Sequence, residues 1–452
     1  MYSFSGVDND RGQWRSMATA LVAGMLMLLS GCSEPARLPF DSGVGARPDL
    51  PPAHKEVIPT VHVAKARGWP AGATPDLAAG LAVTPFGQGL DHPRWLYVLP
   101  NGDVLVAETN APPKPQDGKG IKGFVMKLVM RYAGAGTPSA DRITLLRDTD
   151  GDGIAETRSV LLDGLHSPFG MALVGARLYV ANTDAVVSFP YVAGQLRIDA
   201  PATRLVDLPA GPINHHWTKN LIASPDGQTL YVTVGSNSNV AENGIDQEVD
   251  RAAIWAVDIA TGAHRIYASG LRNPNGMGWE PGSQTLWTVV NERDELGSDL
   301  VPDYLTSVRR DGFYGWPYSY FGGHVDSRVQ PPAPEMVARA IVPDYALGTH
   351  VAPLGMAFAD GQSLGARFAH GVFVGEHGSW NRKPRSGYKV VFVPFDGPRP
   401  SGAMPVDVVT GFVREDQALG RPVGVALDRR GGLLVADDVG NTIWRVRSSA
   451  TR

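Results

Sequence analysis

The sequence predicts an all-β fold, a six-bladed β-propeller, from two observations. A phrase of the form Pro-x-Gly-Met/Val-Ala/Gly followed by an apolar residue occurs at 168–173, 274–279, 353–358 and 422–427, each time running through a polar turn into a second apolar stretch. Related hairpins at 91–106 and 221–232 raise the number of copies to six. The 53 glycines and 36 prolines fall mostly at turns, as short strands require. Six related hairpins are typical of a six-bladed propeller.

The beginning of the chain has the pattern of a targeting segment, predicted at 1–31. Arg11 and Arg15 precede an apolar run at 17–29 that is short for a membrane span. The following Leu-Ser-Gly-Cys resembles a bacterial lipobox, so Cys32 is expected to be the lipidated first residue of the mature protein. This predicts a lipid-anchored protein on the periplasmic side of a bacterial envelope. An ordinary secretory signal with an incidental cysteine is the alternative.

Residues 32–75 are predicted to form a tether and residues 76–452 the propeller. The tether is rich in Pro, Ala and Gly, but 57–63 alternates like a strand, and we expect it to pair with the last blade and close the ring. Cys32 is the only cysteine, which excludes disulfides and thiolate metal sites from the folded domain. A net charge of -4 disfavours nucleic acid as a partner.

The residues just ahead of each hairpin are expected to converge, because the inner strands of a propeller all begin at one mouth of the central channel. A convergent polar cluster of this kind marks a binding or catalytic pocket. The set consists of histidine, arginine and asparagine: His92, His166, His215, His216, Arg272, Asn273, His350 and Arg421.

Two of these segments suggest specific chemistry. The pair His215-His216 offers a general base, since imidazole titrates near neutrality; alternatively, one ring caps a turn and the other packs beneath Trp217. Arg272 offers a planar fork for a carboxylate or a developing oxyanion. An inter-blade salt bridge is its structural alternative.

Three loops add further candidates. The loop 377–388 carries cations and donors that suit an anionic ligand, unless it is a solvated turn. The acidic stretch 291–299 contains oxygen ligands for Ca²⁺ or is solvated. The acidic residues Asp148, Asp150, Asp152 and Glu156 surround a glycine turn, but the Glu that ends an EF-hand loop is missing. The pattern predicts either a structural Ca²⁺ site or a metal-free Asx-turn.

Residues 81–447 resemble the sorbosone dehydrogenase group of the soluble quinoprotein glucose dehydrogenase superfamily. That superfamily consists of six-bladed propellers that use pyrroloquinoline quinone (PQQ) and Ca²⁺. The matching phrases are Leu-Asp-His-Pro-Arg at 90–94, Gly-Leu-Arg-Asn-Pro at 270–274, Val-Asn-Glu-Arg-Asp at 290–294, Tyr-Gly-Trp-Pro at 314–317, and the loop 377–388.

The resemblance assigns roles to individual residues. It implies that His216 takes the proton from the sugar hydroxyl and that Arg272 and Asn273 contact PQQ near its reactive carbonyl. It implies a catalytic Ca²⁺ held partly by backbone carbonyls at Asp294 and Glu295. The remaining cofactor-binding candidates are Arg385, with Lys383 as second choice for the same role, Arg421 and His350.

The sequence departs from the glucose enzymes at three points. His215 stands where they have an acidic residue, and the acidic partner after the following strand is replaced by Ser236 or Asn237. Val423 stands where the second of two closely spaced PQQ-binding arginines is expected. These changes affect how His216 is oriented and how PQQ is held.

Together these patterns predict a PQQ- and Ca²⁺-dependent dehydrogenase that oxidises an aldose or a sugar aldehyde. The chain has no haem-attachment motif, so electrons are expected to pass to a separate quinone or cytochrome. One alternative is a Ca²⁺-dependent sugar lactonase, which would need carboxylate and amide ligands on the channel axis. A non-catalytic envelope scaffold is the other, since fold alone does not define function.

Overall fold

The computed structural model describes residues 35–54, 60–113, 129 and 131–450, and it confirms the six-bladed propeller. Six antiparallel sheets of four principal strands follow one another along the chain, and their inner strands contact one another in a closed ring. The strands of each blade are given from inner to outer. Blade one consists of Pro93–Val98, Val104–Glu108, Arg142–Arg147 and Thr157–Leu162, and blade two of Met171–Val174, Arg177–Ala181, Ala185–Pro190 and Thr203–Asp207. Blade three consists of Leu221–Ala223, Thr229–Val234, Ala253–Asp258 and His264–Ser269. Blade four consists of Asn273–Trp279, Leu286–Asn291, Pro302–Ser307 and Tyr345–Thr349, and blade five of Pro353–Phe358, Gly371–Glu376, Lys389–Asp396 and Val406–Thr410. Blade six consists of Pro422–Leu427, Leu433–Asp437, Thr442–Ser448 and Leu81–Gln88.

The glycine of the repeated phrase lies where neighbouring inner strands approach most closely. A Cβ on Gly170 would lie 2.2 Å from the backbone nitrogen of Leu221 in the next blade. A Cβ on Gly355 would lie 2.3 Å from the carbonyl oxygen of Val423, again one blade further on. The phrase therefore repeats because packing around the channel leaves no room for a side chain at this position.

The last blade is closed by an N-terminal strand, but it is not the segment that the sequence predicted for that role. Leu81–Gln88 pairs with Thr442–Ser448 as the outer strand of blade six. The predicted strand at 57–63 falls partly on residues 55–59, which lie outside the described residues, and residues 60–63 are not in a strand. The antiparallel pairing satisfies the backbone hydrogen-bonding groups of Thr442–Ser448 and joins the two ends of the ring.

The tether and the two residues that follow it contact the propeller at several places. Val44–Gly45 pairs with the outer strand of blade four, Asp76–Leu77 pairs with that of blade five, and Lys65–Ala66 runs parallel to Gln417–Ala418. The signal segment and Cys32 lie outside the described residues. Among the residues the structure describes, none belongs to a helix with the length and apolarity needed to cross a membrane.

The remaining elements are short. The helical segments are Phe40–Gly43, Ile245–Glu248, Pro334–Arg339 and Ala366–Phe368. The additional strands are Gly312–Phe313, Ser319–Tyr320, His324–Val325, Arg399–Pro400 and Val413–Arg414. Apolar side chains pack between neighbouring blades, as Trp95 of blade one does against Phe169 beside blade two, and this packing holds the mouth rigid.

Candidate functional site

One mouth of the channel collects polar side chains from two kinds of position. The inner strand of each blade begins there and the second strand, being antiparallel, ends there. Ser236, Asp294, His377 and Asp438 follow the second strands of blades three to six. Of these four residues, Asp438 is the one that the sequence did not single out.

His216 is held in one tautomer by Ser236. Its Nδ1 lies 2.8 Å from the carbonyl oxygen of Ser236 and 3.0 Å from the Oγ of the same residue. A carbonyl only accepts, and Ser236 Oγ donates its own proton to the carbonyl of Ser238 at 2.7 Å. Nδ1 therefore carries the ring proton and Nε2 carries the basic lone pair. Ser236 orients the imidazole in place of the acidic residue that the sequence lacks.

A buried acid, which sequence reasoning missed, fixes the loop that carries Ser236. Glu248 is 7 % exposed, accepts a hydrogen bond from the backbone N–H of Asn237 at 2.6 Å and accepts another from Ser238 Oγ. Burial raises the pKa of Glu248. Because its position in the short helix Ile245–Glu248 has no distinctive local pattern, only the fold reveals this contact.

Asn273 lies close to His216. A Cβ on Gly235 would lie 2.5 Å from the Cβ of His216 and 2.6 Å from Oδ1 of Asn273, so a glycine is required between the two side chains. The Oδ1 atom of Asn273 is buried and has no hydrogen-bond partner among the described residues. An unpartnered buried amide oxygen is costly, which suggests that a ligand satisfies it.

Arg272 is buried in a hydrogen-bonded frame. It donates to the carbonyl of Asn239 at 3.2 Å, the side chain of Asn239 at 3.0 Å, the carbonyl of Glu292 at 2.6 Å and Oδ2 of Asp294 at 3.0 Å. Four of its five N–H groups are thus used. The arrangement places a permanent positive charge behind the mouth and pairs it with Asp294, which follows the second strand of the same blade.

Asp294 joins blades four and five through its carboxylate. Besides Arg272, it accepts a hydrogen bond from Asn381 Nδ2 at 2.8 Å, and His350 Nδ1 lies 3.7 Å away. His350 Nε2 contacts the carbonyl of Gly297 at 3.1 Å. Burial lowers the pKa of His350, so the ring is neutral at pH 7. His350 therefore acts as a structural partner of Asp294 in this arrangement.

A second cluster centres on Asp438, whose carboxylate is 1 % exposed. Arg94 Nη1 donates to its Oδ2 at 2.6 Å, His377 Nε2 lies 2.9 Å from the same atom, and His92 Nε2 lies 3.5 Å away. Burial alone would raise the pKa of Asp438, but His377, His92 and Arg94 hold it well below its usual range. Burial lowers the pKa of His377 to about 4, so this ring is neutral at pH 7.

Arg421 lies next to this cluster without a carboxylate of its own. Its guanidinium stacks 4.9 Å from the ring centroid of Tyr388 and donates to that hydroxyl at 2.7 Å. Within the described residues, Arg421 forms no ion pair, and its Nε, like that of Arg94, is buried without a hydrogen-bond partner. Arg94 also lies 5.9 Å from the Trp217 ring, which links the cluster to the loop of His216.

The side chain of Arg385, which the resemblance assigns to the cofactor, contacts the tether in this structure. Its guanidinium donates to the carbonyls of His62 at 3.1 Å and Val63 at 3.0 Å and forms an ion pair with Asp416. All of these partners lie in or beside the tether, which is remote in sequence. Lys383 is half-buried, and its backbone contacts Ala36 and Ser298.

The proposed catalytic Ca²⁺ ligands at Asp294 and Glu295 are only partly compatible with the structure. The carbonyl oxygen of Asp294 accepts hydrogen bonds from Asn239 Nδ2 at 3.1 Å and Arg328 Nη1 at 2.9 Å, which occupy both lone pairs. Glu295 is half-buried in a left-handed conformation with φ 69°. The carbonyl oxygen of Asp294 is therefore already occupied by hydrogen bonds and does not fit the role of a Ca²⁺ ligand.

The acidic loop of blade one does bring its ligands together. Ligand atoms of Asp148, Asp150, Asp152 and Glu156 all lie within 4.8 Å of one another. Arg430 Nη1 donates to Asp148 Oδ2 at 2.8 Å and neutralises part of the charge. The loop also makes Asx-turn hydrogen bonds, such as that from the Ile154 N–H to Asp152 at 2.8 Å. Both predicted alternatives, Ca²⁺ or a metal-free turn, are compatible with this geometry.

Two histidines of the predicted ring lie at its margin. His166 has a side chain that is 53 % exposed and pairs with Asp184 at 3.2 Å. His215 is exposed and packs edge-on against His216, with ring centroids 4.7 Å apart. The buried part of the site is therefore formed by blades one, three, four, five and six.

The propeller and this mouth define a protein of a known class. The sequence model of the family described as TrAA12-like matches residues 139–304 and 336–449, and the chain belongs to that family. The chain is 27 % identical over 292 residues to an uncharacterized protein of Borreliella burgdorferi, covering 62 % of this chain and 76 % of that protein.

Two further comparisons concern an enzyme of Coprinopsis cinerea. The chain is 24 % identical over 365 residues to its pyrroloquinoline quinone-dependent pyranose dehydrogenase, covering 71 % of this chain and 44 % of that protein. The chain thus spans less than half the length of that relative. The holo PQQ domain of pyranose dehydrogenase from the same organism superposes with a TM-score of 0.67 at 21 % identity, covering 85 % of this chain and all of that domain. This likeness establishes the fold.

Proposed function

We propose that the protein is a PQQ-dependent dehydrogenase that oxidises an aldose or a sugar aldehyde such as sorbosone. One observation carries the proposal: a histidine of fixed tautomer lies in the same mouth as two buried arginines that are not fully paired. A sugar hydroxyl and an anionic cofactor are the ligands that such a combination suits. The pyranose dehydrogenase relative, named for the same cofactor, supports it.

The residues present fit PQQ, which is a flat tricarboxylate. The Nε atoms of Arg94 and Arg421 and the Oδ1 atom of Asn273 are buried without partners among the described residues. Two guanidinium groups suit two carboxylates, since each offers planar paired donors. Arg94 and Arg421 would hold the carboxylates, Tyr388 would support Arg421, and Asn273 would meet the ring edge near His216.

His216 performs the proton transfer in this account. When bound, PQQ supplies the quinone that accepts the hydride. The Nε2 lone pair of His216 accepts the proton of the sugar hydroxyl, and the resulting imidazolium keeps its Nδ1–H bond to Ser236. Arg272 contributes a fixed positive charge that stabilises negative charge developing near Asn273. Asp294 holds Arg272 in place.

The proposal leaves out a catalytic metal at Asp294 and retains the cellular setting predicted from the sequence. The setting is a lipid anchor at Cys32, a periplasmic location and a separate quinone or cytochrome as electron acceptor. The lactonase alternative is less favoured, because the mouth carboxylates Asp294 and Asp438 are each paired with an arginine.

Dye reduction with a panel of aldoses and sugar aldehydes, with and without PQQ, tests the proposal. Replacing His216 by Ala should lower kcat by about 10²–10⁴-fold, the usual contribution of a general base, while PQQ still binds. His166→Ala is the matched control, because His166 lies at the exposed rim and pairs with Asp184. Equal activity of the two variants would contradict the role of His216.

A further inference from the structure

Glu248 is a buried acid that the chemistry described so far does not use. The residue is 7 % exposed and ends the short helical segment Ile245–Glu248, between the second and third strands of blade three. A carboxylate that is removed from water is costly unless hydrogen bonds compensate for the lost hydration. The two groups that donate to this carboxylate both belong to the loop that orients His216.

A single peptide group lies between Glu248 and His216. The N–H of Asn237 donates to Oε2 of Glu248 at 2.6 Å. The carbonyl of the same peptide group belongs to Ser236, and it accepts the hydrogen bond from Nδ1 of His216 at 2.8 Å. The carboxylate therefore lies at the positive end of a peptide dipole, and the imidazole N–H lies at its negative end.

A second series of contacts leads to the same carboxylate through two serines. Ser238 Oγ donates to Oε1 of Glu248, and the carbonyl of Ser238 accepts the hydroxyl proton of Ser236 at 2.7 Å. Ser236 Oγ then faces Nδ1 of His216 at 3.0 Å. Both serines are buried, so water does not compete for these hydrogen bonds. Both acceptors of the ring N–H are thus held by contacts that end at Glu248.

The charged groups around Glu248 act on it in opposite directions. Burial raises the pKa of Glu248, and the N–H of Asn237 and the hydroxyl of Ser238 counteract this effect most strongly. Arg251 also lowers this pKa, and Glu242, which is exposed, raises it. The hydrogen bonds to the loop are therefore the main compensation for burying this charge.

Two further titratable side chains lie next to His216. The ring of His215 packs edge-on, with ring centroids 4.7 Å apart, and Lys219 Nζ donates to the carbonyl of His216 at 3.4 Å. His215 is exposed, whereas Lys219 is fully buried. A positive charge near the ring disfavours the imidazolium, and the negative charge of Glu248 offsets this effect.

We propose that Glu248 is a positioning residue for His216 and acts through the Ser236–Asn237 peptide group. The inference rests on the proposed function, in which His216 is the base. A carboxylate at the N–H end of a peptide group makes its carbonyl a stronger acceptor, because successive hydrogen bonds polarise one another. The stronger acceptor holds the ring proton on Nδ1 and stabilises the imidazolium that forms when Nε2 takes the proton of the sugar hydroxyl. Glu248 itself neither gains nor loses a proton.

Nitrogen-15 NMR of the PQQ-free protein measures the tautomer of His216 without any catalysis. The signals of this ring are assigned by their loss in His216→Ala, and the spectra are recorded at about pH 8, where an unperturbed imidazole is neutral. The wild type should have its proton on Nδ1. Glu248→Gln keeps the shape of the side chain and removes the charge, and it should lower the ratio of the Nδ1–H form to the Nε2–H form roughly 3–10-fold.

Two further variants define the contact. Ser238→Ala removes one of the two donors and leaves the carboxylate in place, so it should change the tautomer ratio less than Glu248→Gln does. Glu242→Gln is the matched control, because Glu242 also accepts two backbone N–H groups of this loop, those of Asn239 and Val240, but is exposed. It should leave the tautomer unchanged.

Turnover with PQQ gives a second measurement. Glu248→Gln should lower kcat roughly 3–10-fold with KM and PQQ retention unchanged. The acid limb of its pH–kcat profile should move to lower pH, because the loss of a nearby negative charge disfavours the imidazolium. A purely structural role of Glu248 would change the stability of the protein and leave this profile in place.

The outcomes separate this inference from the proposed function. PQQ-dependent turnover with the same tautomer and the same pH–kcat profile in the wild type and Glu248→Gln would overturn the role of Glu248 and keep the dehydrogenase. A change in Glu242→Gln as large as that in Glu248→Gln would also overturn it. A tautomer that depends on Glu248, in a protein that oxidises no sugar with PQQ, would support the contact with His216 and overturn the proposed function.

Discussion

Replacing Asp438 by Asn should strongly destabilise the PQQ-free protein. The carboxylate is 1 % exposed and is the one acceptor shared by Arg94 at 2.6 Å and His377 at 2.9 Å. Removing one partner of a buried pair leaves the other charge uncompensated, which costs about 3–5 kcal/mol in the free energy of unfolding. Asp416→Asn is the matched control, since Asp416 pairs with Arg385 but is 80 % exposed, and it should cost less than about 1 kcal/mol.

Urea unfolding at several pH values measures the effect. The folded-state pKa of Asp438 lies well below the unfolded value of about 3.9, so its contribution to stability is present above about pH 4 and is lost only as pH falls further. The difference between wild type and Asp438→Asn should therefore remain constant from pH 5 to 8. A loss no larger than that of Asp416→Asn would refute the idea that Asp438 organises the cluster.

Three further predictions concern orientation, pH and metal. Ser236→Ala removes one of two acceptors from His216 Nδ1 and should lower kcat roughly fivefold with little change in PQQ affinity, whereas an unchanged kcat would argue against an orienting role. Burial raises the pKa of Glu376 to about 8. This group therefore stabilises the fold fully below about pH 4.3 and loses its contribution, at up to about 1.4 kcal/mol per pH unit, as pH rises toward 8. Glu376→Gln should flatten that slope in urea titrations, and an identical slope would contradict the assignment. Extracellular Ca²⁺ sites have a Kd of about 10⁻⁴–10⁻³ M. If the blade-one loop binds Ca²⁺ with this affinity, 10 mM Ca²⁺ should raise the free energy of unfolding of the wild type by roughly 1.4–2.7 kcal/mol and that of Asp150→Asn much less. An equal increase in both proteins would favour the metal-free turn.

The fold was readable from the sequence because its repeat has a steric cause. Gly170 and Gly355 lie where a neighbouring strand excludes a Cβ, so the repeated phrase marks each inner strand. The closing strand was misassigned because residues 57–63 alternate like a strand, whereas Leu81–Gln88 contains Pro85 and Gly87. In the structure both lie at a register shift opposite Ile443 and Trp444, where an outer strand tolerates them.

The site was predictable only where chain order dictates position. His216, Arg272 and Arg421 precede inner strands, so topology brings them to the mouth. Arg385 was misplaced because its partners in the tether are more than 300 residues away in sequence, and no local pattern reveals such a contact. Asp438 was missed because the end of the second strand of blade six was not considered, although the same hairpin geometry places it at the same mouth as the ends of the other second strands.

The most direct test of the central claim is reduction of protein-bound PQQ by sugar, followed by absorption spectroscopy. PQQ is added at one equivalent to the cofactor-free protein, unbound quinone is removed, and the sugar panel is introduced without an external acceptor. The protein should retain one PQQ per chain, and the oxidised quinone band should disappear with at least one aldose or sugar aldehyde. Failure of the protein to retain PQQ, or a quinone band that no sugar changes, would contradict it.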